Sequence, residues 1–301
     1  QDAQSVVLVS KVETKKYKIL EVLKGQATVG KIVLAAEPKG KSSLKGGLLL
    51  TTAAPANLPY WSDAPRYLDA SELAFVRKAL PVTRESQAKK WDFAASYLEH
   101  SSSEIANAAY SLLAAAPLGE VQKRAKVPSH AKLLRWVKNG KVPEERRALY
   151  LLMAYPSLTK ADASWLKSAL FHPKLSPMSP LLGPYIVAYL QVTGSSGVSD
   201  VQKRFLSAEA PASRTLTVTR ALALVGHRTS SQPLKDAVRA VFLKEVAHPS
   251  RGPYAIAPLA VWKDYRAAPT VEKLGRRKDT WIKVAVIRYF RSFGISESQA
   301  A

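Results

Sequence analysis

The first fifty or so residues contain short runs rich in Val, Leu and Ile, which over residues 15–23 are mixed with charged residues. Glycines and a Lys- and Ser-rich stretch separate these runs, which is typical of strands joined by tight turns. The pattern predicts strands over residues 5–12, 15–23, 31–36 and 47–51. We interpret residues 53–67, which contain Trp61 and several prolines, as an ordered connector. Four or five short strands predict a small β barrel or sandwich over residues 1–68.

From Asp69 onward the apolar positions follow the helical period. Asp69 and Glu72 form a capping-box pattern at the start of the first helix, and Pro81 is predicted to end that helix. Asp279 is the predicted N-cap of the last helix. The predicted helices cover residues 70–80, 102–116, 132–139, 144–155, 160–171, 181–192, 199–207, 212–225, 233–247, 254–264, 270–277 and 280–293.

These helices are short and are separated by Pro, Gly and Ser. Short connections make consecutive helices antiparallel neighbours, and some helices, such as residues 148–155 and 216–225, are apolar around most of their circumference. Residues 69–301 are therefore predicted to form an all-α solenoid of helix pairs. Because the sequence shows no clean fixed-period repeat, a compact, irregular helical domain is the alternative.

The charge of the chain narrows the class of partner. It has 45 Lys and Arg against 23 Asp and Glu, a formal net charge of +22, which attracts nucleic acid, anionic glycan, anionic membrane or an acidic protein surface.

The absence of cysteine excludes disulfides and thiolate metal sites. No apolar run approaches the roughly 18 residues of a membrane span. The first residue, Gln1, predicts a mature exported chain from which a signal peptide has been removed.

Several motifs resemble functional sites and are better explained otherwise. Residues 25–31 match the core of a phosphate-binding loop, but Ile32 replaces the hydroxyl residue and a strand follows, so we interpret them as a turn. The five histidines lack metal-ligand spacing, and those at helix ends are predicted to act as cations beside terminal carbonyls. Ser195 and Ser196 lie in a Gly-flanked segment interpreted as a flexible turn. The sequence therefore predicts a non-enzymatic protein without a metal or cofactor site.

The basic residues form clusters that are candidate partner-binding surfaces. One of these clusters lies in the β domain, between Lys15 and Lys45. Trp91, Trp136, Trp165, Trp262 and Trp281 lie within amphipathic helices and are predicted to pack in the core, which leaves few aromatic side chains to stack on bases. The predicted partner-binding residues are Lys132, Arg135, Lys138, Lys141, Arg146 and Arg147 in one cluster, and Arg276, Arg277 and Lys278 in another.

The segment SVVLVSKVETKKYKILEVLKGQATVGK, residues 5–31, resembles the start of a β domain of exported planctomycete proteins, similar to netrin-like and OB-type barrels. Four later segments, SDAPRYL, KKWDFAASYLEHSSSEIANAAYSLLAAAP, KLLRWVKNGKVPEERRALYLLMA and WIKVAVIRYF, resemble the HEAT-like helical part of the same family. The resemblance implies a netrin/OB-like β domain at residues 1–68 and a HEAT-like repeat domain at residues 69–301.

The resemblance also implies a scaffold or assembly subunit of a larger exported complex, filamentous or tubular, in the periplasm or the anammoxosome lumen. Its expected partner is a larger protein complex with an acidic surface, and nitrite oxidoreductase of anammox planctomycetes fits that description. Self-assembly is a further expectation, and nucleic acid is a disfavoured partner. The alternative function is an electrostatic binder of polyanions, either an anionic glycan or nucleic acid.

Overall fold

The computed structural model describes residues 3–38, 47–52, 60–61, 63–126, 128–207, 210, 212–248 and 250–294. The chain divides into two compact units, Gln1–Pro128 and Ser129–Ala301, called here the N-terminal unit and the helical unit. The predicted change from strands to helices at Asp69 therefore lies inside the N-terminal unit. That residues 1–68 and 69–301 are separate domains stays a prediction.

The N-terminal unit contains one sheet of six strands in the order β5-β3-β2-β1-β4-β6. All neighbouring strands are antiparallel except β3 and β5, which are parallel. The four predicted strands are confirmed, but the predicted connector also supplies two very short strands. The strands are β1 (Ser5–Glu13), β2 (Lys16–Lys24), β3 (Ile32–Ala35), β4 (Gly47–Thr52), β5 (Tyr60–Trp61) and β6 (Arg66–Leu68).

The sheet has to curl, because its two edge strands are close in sequence. β5 ends at Trp61 and β6 begins at Arg66, and five residues of extended chain reach at most about 18 Å. In a flat sheet, five inter-strand spacings would separate the edges by about 24 Å. The described strands form this one curled sheet and no second sheet of a sandwich. It encloses a buried cluster of Val7, Val9, Tyr17, Ile19, Val33, Ala35, Leu48, Leu50 and Trp61.

The described residues of the N-terminal unit also form four α-helices: α1 (Ala70–Val82), α2 (Gln87–Ser96), α3 (Ser103–Ala114) and α4 (Leu118–Lys123). The capping box is confirmed, since Glu72 N donates to Asp69 Oδ1 at 2.8 Å and Asp69 N donates to Glu72 Oε2 at 3.0 Å. The prediction that α1 ends at residue 80 is wrong by two residues, because Pro81 lies in the last turn, where a proline removes a single helical hydrogen bond. The predicted helix bounds leave out α2, although Trp91 is predicted to lie in an amphipathic helix, and α4 is not predicted.

The helical unit contains ten further α-helices among its described residues. The even-numbered helices form a ladder in which α6 contacts α8, α8 contacts α10, α10 contacts α12 and α12 contacts α14. No described helix is both long and apolar enough to cross a membrane. The helices are α5 (His130–Lys138), α6 (Glu144–Ala154), α7 (Ala163–Leu170), α8 (Leu182–Thr193), α9 (Ser195–Phe205), α10 (Ala212–Arg228), α11 (Gln232–Glu245), α12 (Gly252–Val261), α13 (Ala268–Gly275) and α14 (Thr280–Arg291).

Most predicted helix boundaries in the helical unit differ by a few residues from those observed, and two predictions about helix starts need correction. Ser195 and Ser196, predicted to form a flexible turn, open α9, and the break from α8 is the single residue Gly194 with φ of +64°. Asp279 occupies the N-cap position of α14, but its side chain makes no capping hydrogen bond. Its Oδ2 instead lies 3.3 Å from Arg277 Nε.

Gly25 is required by the close approach of two chain segments. Its φ is +90°, and a Cβ there would lie 2.5 Å from the carbonyl oxygen of Gln4. Gly30 has a similar φ of +85° but open space around it. We expect Gly30→Ala to destabilise the protein by about 1–3 kcal/mol through backbone strain, and Gly25→Ala to cost about 1–3 kcal/mol more through the clash. Denaturation midpoints measure the difference, and equal midpoints would contradict it.

Two buried tyrosines predict a loss of stability in alkali. Burial, and then the hydrogen bond to Asp200 at 2.8 Å and its charge, raise the pKa of Tyr189 to about 12. Burial, and then the charge of Asp264, raise the pKa of Tyr289 to about 12, and its hydroxyl donates to the Asp264 carbonyl at 2.6 Å.

Between the ordinary pKa of 10.0 and about 12, the unfolded chain releases these protons while the folded chain keeps them. The free energy of unfolding therefore falls as pH rises through this range, by about 2 kcal/mol per tyrosine. Tyr189→Phe and Tyr289→Phe should each flatten that slope when unfolding is followed by circular dichroism at a series of pH values. A slope unchanged in both variants would contradict the prediction.

Candidate functional site

The exposed part of the first predicted basic cluster lies on and just after α5. It consists of Lys132, Arg135, Lys138 and Lys141. Two of these residues lie over aromatic rings: Lys132 Nζ is 5.0 Å from the ring centroid of Trp136, and Lys138 Nζ is 4.7 Å from that of Trp165. Cation–π contacts of this kind orient an ammonium group while leaving it accessible. Partner binding by this surface stays a prediction.

The other two residues of that cluster lie largely inside the helical unit. Arg146 on α6 is 9% exposed. Arg147 is half-buried, and its Nε donates to the carbonyl oxygen of Val137 on α5 at 2.8 Å. Because α6 packs between α5 and α8, few of its positions reach solvent. The sequence pattern grouped these arginines with the surface lysines, but the structure uses Arg147 to join two helices.

The second predicted cluster occupies the turn between α13 and α14. Arg276, Arg277 and Lys278 are exposed. Two of them lie near carboxylates: Arg276 Nη2 is 3.4 Å from Glu272 Oε1, and Arg277 Nε is 3.3 Å from Asp279 Oδ2. Exposed pairs of this kind contribute little stability, but they reduce the local positive charge. The two predicted clusters lie on different elements.

The predicted role of the helix-end histidines as cations is not what the geometry shows. The Nδ1 atoms of His100, His172 and His248 each accept a backbone N–H from the residue two positions later, at 3.1, 3.2 and 3.3 Å. Each of these rings therefore caps a backbone N–H just after its helix. Among the described residues, no group of three His, Asp or Glu side chains could hold a metal ion.

A groove of about 790 Å³ crosses three helices of the ladder, α10, α12 and α14. Its lining residues recur every three or four positions, so each helix turns one stripe toward the groove. The stripes contain Leu216, Arg220, Leu224 and His227 on α10, Tyr254, Pro258 and Val261 on α12, and Trp281, Val284 and Arg288 on α14. The described lining side chains are apolar, apart from the hydroxyls of Thr219 and Tyr254, two indole N–H groups, the His227 imidazole and two guanidinium groups.

Large apolar side chains in this groove are exposed to solvent. Trp281 is 52% exposed, Val261 66% and Val284 42%. The ring of Trp281 stacks on Tyr254 with centroids 6.1 Å apart. The prediction that Trp281 packs in the core is therefore wrong, whereas the other four helical tryptophans are half-buried. A contiguous exposed apolar surface of this kind is typical of a binding site.

Trp262 forms one end of the groove and is held in place from three sides. Its ring meets Phe242 edge-on with centroids 5.2 Å apart, and the Arg239 guanidinium lies 5.9 Å from its centroid. On the third side, a Cβ at Gly226 of α10 would lie 2.7 Å from the ring atom Cζ2. A glycine at position 226 therefore allows the indole to lie against the α10 backbone.

The charged groups that line the groove are two guanidinium groups. Arg220 and Arg288 are exposed, and neither forms an ion pair within the described part of the chain. No carboxylate appears among the described lining residues. The groove thus offers apolar area and two cations.

Comparisons of the chain with protein family models, with curated proteins and with solved structures found no match. The resemblance to exported planctomycete proteins stays an expectation drawn from sequence motifs. The groove has to be interpreted from its own geometry and charge.

Proposed function

We propose that this chain is a non-enzymatic assembly subunit whose helical unit binds an amphipathic helix of an acidic partner protein in the groove. The observation that carries the proposal is the set of parallel apolar stripes on α10, α12 and α14, with Trp281, Val261 and Val284 exposed. An amphipathic helix buries its apolar face in such a groove through side chains at three- and four-residue spacing.

Charge favours an acidic partner over a second copy of this chain. Two copies each carry +22 and repel one another. Acidic side chains flanking the apolar face of a partner helix would pair with Arg220 and Arg288, which orients the helix and speeds its association. The exposed residues of α5 would add to the attraction at longer range.

The helical-repeat architecture is part of the same proposal. The contacts from α6 to α8, α10, α12 and α14 in turn are those of a stack in which each helix pair meets its neighbours. They support a HEAT-like solenoid for the helical unit, and the curled sheet supports a netrin/OB-like β domain. Export, and assembly with nitrite oxidoreductase in a tubular complex, rest on the sequence motifs alone.

Photo-crosslinking tests where and what the groove binds. A photoreactive residue replaces Val284 in the full chain, which is irradiated in native extract with nuclease present and then washed at high salt. A matched chain carries it at Val29, a 61% exposed valine of the N-terminal unit. We expect crosslinks at position 284 to an acidic protein, mapped by mass spectrometry to an amphipathic helix.

Crosslinks to the same proteins from both positions, or to a segment without an apolar face, would contradict the proposal. Recovery of polyanions alone, with loss at high salt, would favour the alternative function, because the release of counterions that drives polyanion binding is less favourable at high salt concentration.

A further inference from the structure

A second, smaller cavity in the helical unit is lined by basic side chains. It lies where α8 and α10 begin and α9 ends, and its volume is about 30 Å³. Its polar lining comes from His172, Ser176, Arg204 and Arg214, and the rest of its described lining is apolar. None of the described lining residues carries a carboxylate. The cavity is separate from the groove and shares no lining residue with it.

The two arginines have no partner within the described residues. The Nε of Arg214 is buried and makes no hydrogen bond, and no ion pair or hydrogen bond joins Arg204 or Arg214 to another described side chain. Leaving a charged donor buried and unsatisfied costs more than leaving a neutral one. A guanidinium in this position is therefore poised to bind an acceptor that the described residues do not supply.

Other groups at the cavity also favour negative charge. His172 Nδ1 accepts the N–H of Lys174 at 3.2 Å, which leaves Nε2 as the ring nitrogen that can donate. Ser176 Oγ accepts the N–H of Met178 at 3.1 Å and keeps its own hydrogen to donate. The first turns of α8 and α10 add the positive ends of two helix dipoles.

We propose that this cavity binds a single oxyanion group, a carboxylate or a phosphate, through Arg204 and Arg214. Guanidinium groups bind both anions in a bidentate manner. A cavity needs a volume of roughly 10–15 Å³ to hold one water molecule. This cavity therefore has room for the anionic group of a ligand but not for the rest of the ligand. The site does not depend on the proposed function of the groove.

Titration of the full chain with inorganic phosphate and with acetate tests the proposal. The Nε–H signal of Arg214 in NMR spectra reports directly on the buried donor. We expect a saturable shift of this signal with at least one of the two anions. The tighter one identifies the ligand chemistry, phosphate indicating a phosphoryl group and acetate a carboxylate side chain. Absence of a saturable shift with both would overturn the proposal.

Two variants and a matched control separate a specific site from general attraction to a basic protein. Arg214→Gln and Arg204→Gln should each weaken anion binding roughly tenfold to hundredfold. Arg204 is exposed, so its variant is expected to fold even if Arg214→Gln does not. Lys203→Gln removes the same charge from the neighbouring exposed position of α9, which does not line the cavity, and should leave affinity unchanged. Equal weakening by Lys203→Gln and Arg204→Gln would overturn the assignment.

Discussion

Replacing Val284 with Asp should weaken binding of the crosslinked partner at least about 30-fold, the effect of losing one interface hot spot. Val284 lies in the α14 stripe of the groove, three residues from Trp281, and is 42% exposed. An aspartate there would have to be desolvated against apolar side chains, and it would repel the acidic side chains of the partner helix. Trp281→Ala should have an effect of similar size, because it removes the ring that stacks on Tyr254.

The matched control for this result is Val29→Asp. It makes the same chemical change at an exposed valine outside the groove and should leave affinity within about twofold, since surface changes away from an interface are nearly neutral. Affinities are measured at two salt concentrations, so that a general loss of positive charge is distinguished from damage to the groove. If both aspartate variants bind as wild type does, the groove is not the binding site.

Arg251→Met should destabilise the helical unit by about 3–5 kcal/mol, the range for removing one partner of a buried ion pair. Arg251 is 6% exposed at its side chain and its Nε lies 2.9 Å from Oε2 of Glu245, which is 4% exposed. The same guanidinium donates to the carbonyl oxygens of Leu206, at 3.3 Å, and of Ser207. It thereby ties the end of α11 to the chain that leaves α9.

The loss arises mainly from the Glu245 carboxylate, which would be left buried without its cation. A double variant, Arg251→Met with Glu245→Met, should therefore recover much of the stability, because two apolar side chains can replace a buried ion pair at little cost. Arg251→Lys keeps the positive charge but loses the planar set of guanidinium N–H donors. Its stability should therefore lie between those of wild type and Arg251→Met. Chemical denaturation measures all three, and a double variant less stable than Arg251→Met would contradict this account.

Local signals in the sequence predicted the framework of the fold. The alternation around Tyr17 and Ile19, and the capping box of Asp69 and Glu72, each depend on neighbouring residues alone. The strands β5 and β6 could not be predicted in this way, since two or three residues show no period. Pro81 misled the prediction because its effect depends on how many turns of helix follow it.

The groove could not be predicted, because an apolar stripe has the same sequence pattern whether it faces the core or solvent. α12 is apolar around its whole circumference, so the pattern could not show that Tyr254 and Val261 belong to an outward face. Arg146 shows the converse problem. Its neighbours in sequence are charged, and only the packing of α6 between two other helices places it inside the unit.

The short edge strands of the curled sheet limit how copies of this chain can associate. Aggregation by strand addition requires a long row of unpaired backbone N–H and C=O groups at a sheet edge. β5 and β6 are two and three residues long, and β6 carries the exposed side chain of Arg66. The sheet therefore offers little template for edge-to-edge pairing, even where many copies are concentrated in one assembly. Ordered association is therefore expected to occur through side-chain surfaces, where the amino-acid sequence determines which partner binds. Backbone pairing depends little on side-chain identity and is expected to contribute little to this association.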